Sequence, residues 1–214
     1  MAALSEQAYE KIKDLVLKAE PGTFFSVRKC ANDLQFSYTP TREALLRLHA
    51  EGMLRLVPNV GFFTAQMDLR DITDIYQSRE CVEQYVLPLV LPHFAKEDIK
   101  YLWEQVNIQE RAVEAGDFDQ YTDSDIEFHC FLINKLNNKR LMEFYHNICS
   151  RYRSASNSLM TDLRQPSIEE HRQFLHSVER GDYEQAIQTM RRHTQESIKR
   201  MREGYIQIRS FAGN

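Results

Sequence analysis

The stretch SVRKCANDLQFSYTPTREALLRLHAEGMLRLVPNVGFF, residues 26–63, decides the fold of the first part of the chain. Ser26 is placed to cap a short helix, and Ser37 or Thr39 can cap a second one. Gly52 is suited to end that second helix, because glycine accepts the left-handed conformation common after a helix. Two helices joined by a few residues are typical of a helix-turn-helix.

A hairpin is predicted directly after these two helices. The runs MLRLV (53–57) and GFFTA (61–65) are rich in strand-forming residues and flank a short turn at 58–60. A helix with helical apolar spacing, which Ser5 can cap, precedes the whole arrangement. Three helices and a hairpin in this order predict a winged helix over residues 1–67.

The remainder of the chain, residues 68–214, has no comparable strand signal. Its periodic stretches all have helical spacing, and they predict a bundle of about six helices. Pro88 and Pro92 are expected to stop the first of these helices. The predicted fold class is therefore mainly α, with an N-terminal winged helix-turn-helix and a C-terminal all-helical bundle.

Composition limits the classes of function. Hydrophobic residues make up 43% of the 214 residues, and the net charge is −4, so any DNA binding must depend on local geometry rather than on bulk charge. No stretch is apolar for the length of a bilayer, and we expect a cytoplasmic protein. The cysteines lack the spacing of a disulfide scaffold or zinc site, and we expect them to pack as small apolar groups: Cys30, Cys81, Cys130 and Cys149.

Four polar side chains lie on apolar helix faces in the second part of the chain. In DIEFHCFLIN (125–134), Asp125 and His129 are four residues apart and share one face. His171 and His193 lie on apolar stripes of two later helices. A carboxylate and three imidazoles form a donor set for Zn²⁺, Ni²⁺, Mn²⁺ or Fe²⁺, so we predict a divalent transition metal at this position.

The alternative for any one histidine is a hydrogen-bonded core residue. We assign that role to the four histidines outside the predicted site, His49, His93, His146 and His176. Arg79 also lies on a buried stripe, four residues before Glu83. Its guanidinium can form an internal salt bridge with Glu83 or bind the carboxylate of an effector beside the metal.

PGTFFSVRKCANDLQFSYTPTREALLRLHAEGMLRLVPNVGFF (21–63) resembles the winged-helix domain of the GntR family of bacterial transcription regulators. The shared pattern is a PG turn, a serine-capped helix, an S-x-T-P-x-R-E-A-L helix and a wing with N-x-G. The helical remainder is similar to the ligand-sensing FCD domain of the FadR branch, with D-x-x-F-H, a later E-H and a final histidine. Tyr38, Cys30 and Val60 depart from the residues usual in the family at their positions.

The resemblance implies a role for several residues, and the chemistry of their positions agrees. The start of a recognition helix points N–H groups at phosphates, and a glycine-containing wing can approach the minor groove. The implied metal ligands are the four already named. Arg79 is predicted as the effector-binding residue from its place on the buried stripe, and not from the resemblance. The implied DNA-binding residues are Arg28, Ser37, Tyr38, Thr39, Arg42, Asn59 and Gly61.

The sequence therefore predicts a ligand-responsive transcription regulator that binds an inverted-repeat operator as a homodimer. Residues 1–67 would bind double-stranded DNA, and residues 68–214 would bind a small organic acid and dimerise. The rival hypothesis is a metal-dependent hydrolase or non-haem oxygenase that uses the His/Asp site. No evident general base accompanies the four ligands, and a winged helix has no task in such an enzyme.

Overall fold

The computed structural model divides the chain into two compact units, residues 1–68 and 69–214. The predicted turn residue Pro21 and the predicted domain boundary at Met67 lie outside the described residues. The structure describes residues 2–20, 22–65, 68–158 and 164–212.

The first unit is a winged helix, as predicted. Its helices and strands are α1 (Ala2–Lys18), β1 (Phe24–Phe25), α2 (Val27–Leu34), α3 (Tyr38–Ala50), β2 (Leu54–Val57) and β3 (Gly61–Thr64). The strands form an antiparallel sheet in the order β1-β3-β2. Strand β1 was missed because two residues are too short to show an alternating pattern.

The helix caps of this unit follow the sequence in part. Ser26 caps α2 as predicted, accepting a hydrogen bond from the backbone N–H of Lys29. Ser37 occupies the N-cap position of α3 but makes no side-chain capping bond. The prediction that Ser5 caps α1 is wrong, because α1 begins at Ala2 and the Ser5 hydroxyl donates to Glu43 of α3 instead.

A small apolar core joins these elements. Ile12 of α1, Leu45 and Leu48 of α3, Leu54 of β2 and Phe62 of β3 are almost fully buried in one cluster. The wing hairpin is thus anchored through its inward residues, while its turn stays exposed.

The second unit is all-helical over the residues that the structure describes. Its helices are α4 (Leu69–Val90), a 3₁₀ turn (Leu91–His93), α5 (Lys96–Ala115), α6 (Phe118–Asn134), α7 (Lys139–Ser158), α8 (Arg164–Glu179) and α9 (Tyr183–Ala212). The prediction that Pro88 stops α4 is wrong: the helix continues to Val90. A proline so close to the helix end removes one backbone hydrogen bond without interrupting a long continuation. No described helix has both the length and the apolar character needed to cross a membrane.

The core of the second unit is formed mainly by α5, α6, α8 and α9. Leu102, Val106, Phe128, Phe174 and Met190 are fully buried there.

Two predictions about burial are wrong. Cys81 is exposed, although Cys30, Cys130 and Cys149 are buried as expected. The four histidines that we assigned to the core, His49, His93, His146 and His176, are all exposed, because each lies on the solvent side of its element.

Gly61 gives a test of the wing geometry. Its φ is +147°, and a Cβ added there would lie 2.6 Å from the ring of Phe24 and 3.0 Å from the carbonyl oxygen of Phe25. We expect Gly61→Ala to lower the free energy of unfolding by about 1–3 kcal/mol. Urea unfolding followed by circular dichroism measures this loss. Gly116→Ala is the control, because Gly116 also has a positive φ but no other atom lies within 4 Å of a Cβ added there. A loss no larger than that of the control would contradict the steric argument.

Candidate metal centre

Four side chains predicted as metal ligands come from three helices of the second unit. Helix α6 carries Asp125 and His129, α8 carries His171 and α9 carries His193. None of them is more than 3% exposed. The spacing of four residues places Asp125 and His129 on the same face of α6, towards α8 and α9.

The three imidazoles converge. One nitrogen from each of His129, His171 and His193 can be chosen so that all three lie within 4.8 Å of one another. The Nε2 atoms of His129 and His171 are 3.2 Å apart. Oδ1 of Asp125 lies 3.9 Å from Nε2 of His129 and 3.8 Å from Nε2 of His171. Phe128 stacks on His171, with ring centroids 4.3 Å apart, and closes one side of the cluster.

The Nδ1 atoms of the same rings face oxygen acceptors. Nδ1 of His171 lies 2.9 Å from Oε1 of Gln109, and Nδ1 of His193 lies 2.7 Å from Oε2 of Glu170. Nδ1 of His129 lies 3.3 Å from Oε1 of Glu83, a longer contact that does not reach hydrogen-bond geometry. Acceptors at Nδ1 favour the tautomer in which Nδ1 carries the proton and Nε2 offers its lone pair.

This arrangement fits a metal ion. In the tautomer with the proton on Nδ1, the Nε2 atoms of His129 and His171, 3.2 Å apart, both carry lone pairs and repel unless a cation lies between them. Two ligands at about 2.0–2.1 Å from a tetrahedral Zn²⁺ would be about 3.3 Å apart, close to the observed separation. A ligand histidine commonly donates its other ring N–H to a carboxylate or carbonyl group, as His171 and His193 are placed to do towards Gln109 and Glu170.

Arg79 and Glu83 of α4 form an internal ion pair, which is one of the two alternatives that the sequence left open for Arg79. Nε of Arg79 lies 3.2 Å from Oε1 of Glu83, and both side chains are buried. The hydroxyl of Tyr145, from α7, donates to the same Oε1 at 2.5 Å. Oε1 of Glu83 thus accepts hydrogen bonds from both Arg79 and Tyr145, and it also faces His129. Nη2 of Arg79 and Oε2 of Glu83 have no hydrogen-bond partner within the described part of the chain.

The pKa values of the buried groups follow from these contacts. Burial alone would raise the pKa of Glu83, but the neighbouring His129 and Arg79 lower it below its usual range. Burial and the two neighbouring imidazoles hold the pKa of His171 well below its usual value. The pKa of Glu170 falls to about 2 despite its burial, because it accepts hydrogen bonds from His193 and Arg200. Glu83 and Glu170 are therefore held in their anionic forms, and His171 is held in the neutral form that a metal ligand needs.

Sequence reasoning missed the groups that contact the ligand histidines. Glu83 was considered only as a partner of Arg79, and its contact with His129 was not foreseen. Glu170 had a signal, because it precedes His171 in the E-H pair on which the resemblance partly rests. No sequence signal pointed to Gln109 or Tyr145, because each lies on a helix that carries no predicted ligand.

The predicted DNA-binding residues lie in the first unit. They occupy the start of α3, one exposed position of α2 and the wing turn. Tyr38 is 58% exposed at the first position of α3. Asn59 has a positive φ of 63°, which lets the wing turn tightly before Gly61. The exposed residues of the set are Arg28, Ser37, Tyr38, Thr39, Arg42 and Asn59, while Gly61 is half-buried.

Both units match known families. Residues 4–64 match the family described as bacterial regulatory proteins, gntR family, and residues 74–196 match the FCD domain. The Nta operon transcriptional regulator of Aminobacter aminovorans is 31% identical over 137 residues, which cover 63% of this chain and 64% of that protein. The HTH-type transcriptional regulator McbR of Escherichia coli K12 is 25% identical over 157 residues, which cover 73% and 71% of the two chains.

Solved structures share the fold. E. coli McbR/YncC superimposes with a TM-score of 0.82 at 22% identity, covering 96% of this chain and 100% of that one. The Zn²⁺-bound FCD domain of TM0439 superimposes with a TM-score of 0.55 at 20% identity, covering 66% and 98%.

A winged helix joined to a helical domain, together with these relatives, defines a DNA-binding transcription regulator and not an enzyme. The chain belongs to the GntR family, and its second unit is an FCD domain. The rival hypothesis of a metal-dependent hydrolase or oxygenase is therefore set aside.

The lowered pKa of His171 makes the metal-free protein sensitive to acid. Below the usual histidine pKa of about 6.5, the unfolded chain binds a proton that the folded state excludes. Stability is therefore greatest above pH 6.5 and is lost as the pH falls, by up to about 1.4 kcal/mol per pH unit for each such proton. Urea unfolding of chelated protein at pH 7 and pH 5 measures the loss.

His171→Gln should reduce that pH dependence, because it removes the imidazole. His176→Gln is the matched control, since His176 lies on the same helix with its side chain 56% exposed. An equal pH dependence in the wild type and the His171 variant would contradict the assignment.

Proposed function

We propose that the FCD domain holds a divalent transition metal and binds a small organic acid, and that this binding controls the DNA affinity of the winged helix. In this proposal residues 1–67 form the DNA-binding domain, and residues 68–214 form the effector-binding and dimerisation domain. The observation that carries it is the convergence of three buried imidazoles whose Nδ1 atoms face oxygen acceptors.

The proposed metal ligands are His129, His171, His193 and Asp125. Imidazole and carboxylate donors suit Zn²⁺, Ni²⁺, Mn²⁺ or Fe²⁺ better than Ca²⁺ or Mg²⁺, which prefer oxygen ligands throughout. The Zn²⁺-bound FCD domain of TM0439 supports such an ion in this fold. When bound, the metal would supply a positive centre that attracts an anionic effector.

Arg79 is the proposed effector-binding residue. Its Nε is bonded to Glu83, but its Nη2 is buried and has no hydrogen-bond partner among the described residues. A buried donor of this kind is costly unless an acceptor reaches it. The guanidinium can therefore keep its ion pair with Glu83 and still bind an effector carboxylate through Nη2.

The proposed DNA contacts come from α2, α3 and the wing. Arg28 would contact a phosphate, and the start of α3, with Ser37, Tyr38, Thr39 and Arg42, would enter the major groove. Asn59 and Gly61 would bring the wing to the minor groove. A homodimer in the cytoplasm would present two such domains to the two halves of an inverted repeat in double-stranded DNA.

Arg42→Ala tests the proposed operator contact. We expect it to weaken binding to the protein's own upstream DNA by about 1–3 kcal/mol if Arg42 contacts a base. If Arg42 contacts a phosphate, the slope of log affinity against log salt should fall by about 1. Fluorescence anisotropy over a range of salt concentrations measures both quantities.

Arg140→Ala is the control for loss of a surface positive charge, because Arg140 is exposed on α7 and pairs with Glu143. Unchanged affinity and salt slope for the Arg42 variant would remove Arg42 from the proposed contacts.

Metal removal and Arg79→Ala test the sensor role. Protein purified without added metal should contain a transition metal by elemental analysis, or take one up on titration. A small organic acid that binds the site, present at a concentration about 100 times its Kd, should add about 2.7 kcal/mol to the free energy of unfolding of the metal-loaded protein. This stabilisation is seen as a rise in Tm. Chelation and Arg79→Ala should each abolish that rise.

Arg191→Ala is the control, because Arg191 pairs with Glu80 at the surface. A protein that neither contains nor takes up a transition metal would overturn the proposed metal site. An acid-induced rise in Tm that survived Arg79→Ala would return Arg79 to a purely structural ion pair.

A further inference from the structure

Two cysteines of the second unit meet between α6 and α7. Sγ of Cys130 lies 3.6 Å from Sγ of Cys149, and both thiols are free. Their exposed fractions are 2% and 4%, so the contact is buried. Among the residues that the structure describes, these are the cysteines whose sulfur atoms come together, whereas Cys81 is exposed on α4 and Cys30 lies in the first unit. Two thiols in contact can bond to each other, which a single cysteine cannot do.

The separation of the two sulfur atoms is close to what a disulfide needs. An S–S bond is about 2.05 Å long, so the sulfur atoms would have to approach by about 1.5 Å. Rotation of the two side chains, with a small movement of the helices, is enough for an approach of this size. The two residues are 19 positions apart on consecutive helices, so the bond would join α6 directly to α7.

The thiol pair lies next to a side chain at the surface. Nδ1 of His146 is 3.7 Å from Sγ of Cys130, and His146 is exposed. Cys130 is therefore one side chain away from solvent on this side. A hydroperoxide of few atoms needs to pass only this imidazole, whereas a bulky disulfide or protein oxidant cannot reach a sulfur buried to this extent.

We propose that Cys130 and Cys149 form a reversible oxidation site for small hydroperoxides, and that the disulfide formed there regulates operator binding. With hydrogen peroxide, one sulfur attacks a peroxide oxygen and the O–O bond breaks, giving a sulfenic acid and water. The second sulfur then attacks the sulfenic sulfur, the S–S bond forms and the hydroxyl leaves as a second water. The two thiols lose two protons and two electrons, and the peroxide is reduced to two waters. A thiol reductant restores the pair by exchange.

The disulfide would act on the buried ion pair of α4 through Tyr145. Tyr145 lies four residues before Cys149, on the same face of α7. Its hydroxyl donates to Oε1 of Glu83. A bond that draws α7 towards α6 one turn from this hydroxyl would change the contact with Glu83. Oxidation would thus alter the packing of α4 against α7 and not only the two cysteines.

Peroxide treatment of the full chain carrying Cys81→Ser tests the oxidation site. This substitution removes the exposed cysteine, which could otherwise link two chains. Free thiols measured after denaturation should fall from three to one, because two of the three remaining cysteines become linked. Trypsin cleaves after Lys135 and Lys139, between the two cysteines, so the linked peptide is distinguished by mass. We expect a Cys130–Cys149 peptide that disappears on treatment with dithiothreitol.

Two variants in the same background give the controls. Cys149→Ala should form no linked peptide, and its oxidation should stop at a sulfenic acid on Cys130 that dimedone traps. Cys30→Ala should keep the linked peptide, because it also removes a buried cysteine but in the first unit. If the Cys149 variant does not fold, the linked peptide of the Cys81→Ser chain still decides.

Operator binding by the same samples tests the regulatory role. By fluorescence anisotropy, the linked form should differ from the reduced form in Kd by at least about fivefold, the lower end of the usual coupling between sites. Dithiothreitol should restore the original affinity. This reversal separates the disulfide from oxidation of methionine, which dithiothreitol does not undo.

Two results would contradict the proposal. If peroxide at a concentration that oxidises Cys81 of the wild type gives no Cys130–Cys149 peptide, the oxidation site is overturned and the two thiols only pack against each other. If the linked peptide forms but the operator affinity is unchanged, the regulatory role is overturned.

Discussion

Six acidic, basic or imidazole side chains are buried in the helical unit, and the described part of the chain buries no others. Groups of this kind are stable in an apolar interior only when each is paired, hydrogen-bonded or bound to a metal. The packing of the whole unit must satisfy this constraint. The six residues are Arg79, Glu83, Asp125, His129, His171 and His193.

Each of the six α-helices described in this unit, α4 to α9, helps to satisfy these buried groups. Helices α6, α8 and α9 supply the converging histidines, α4 supplies the ion pair, α5 supplies Gln109 and α7 supplies Tyr145. A change in the position of any one helix would alter a contact at the cluster. Under the proposed function, an effector bound at the cluster would therefore act on every one of these helices. The coupling free energy between an effector site and a DNA-binding site is usually modest, at about 1–3 kcal/mol.

The winged helix meets a different constraint, because the chain as a whole carries a net charge of −4. Its role in DNA binding follows from family membership and from the geometry of α3 and the wing, not from bulk charge. Tyr38 and Val60, which depart from the residues usual in the family, are both exposed.

The sequence by itself determined the two-part organisation, the wing hairpin, the helical bundle and the helix faces that carry Asp125 and the three histidines. These features follow from periodicity, turn residues and capping, which act within one element and can be read along the chain. Only the tertiary structure decided which groups face each histidine Nδ1, that Arg79 and Tyr145 share one oxygen of Glu83, and that Cys81 is exposed. The contacts of Gln109, Glu170 and Tyr145 join helices distant in sequence, and the exposure of Cys81 depends on which helix face the bundle covers. No local pattern encodes a partner across the bundle.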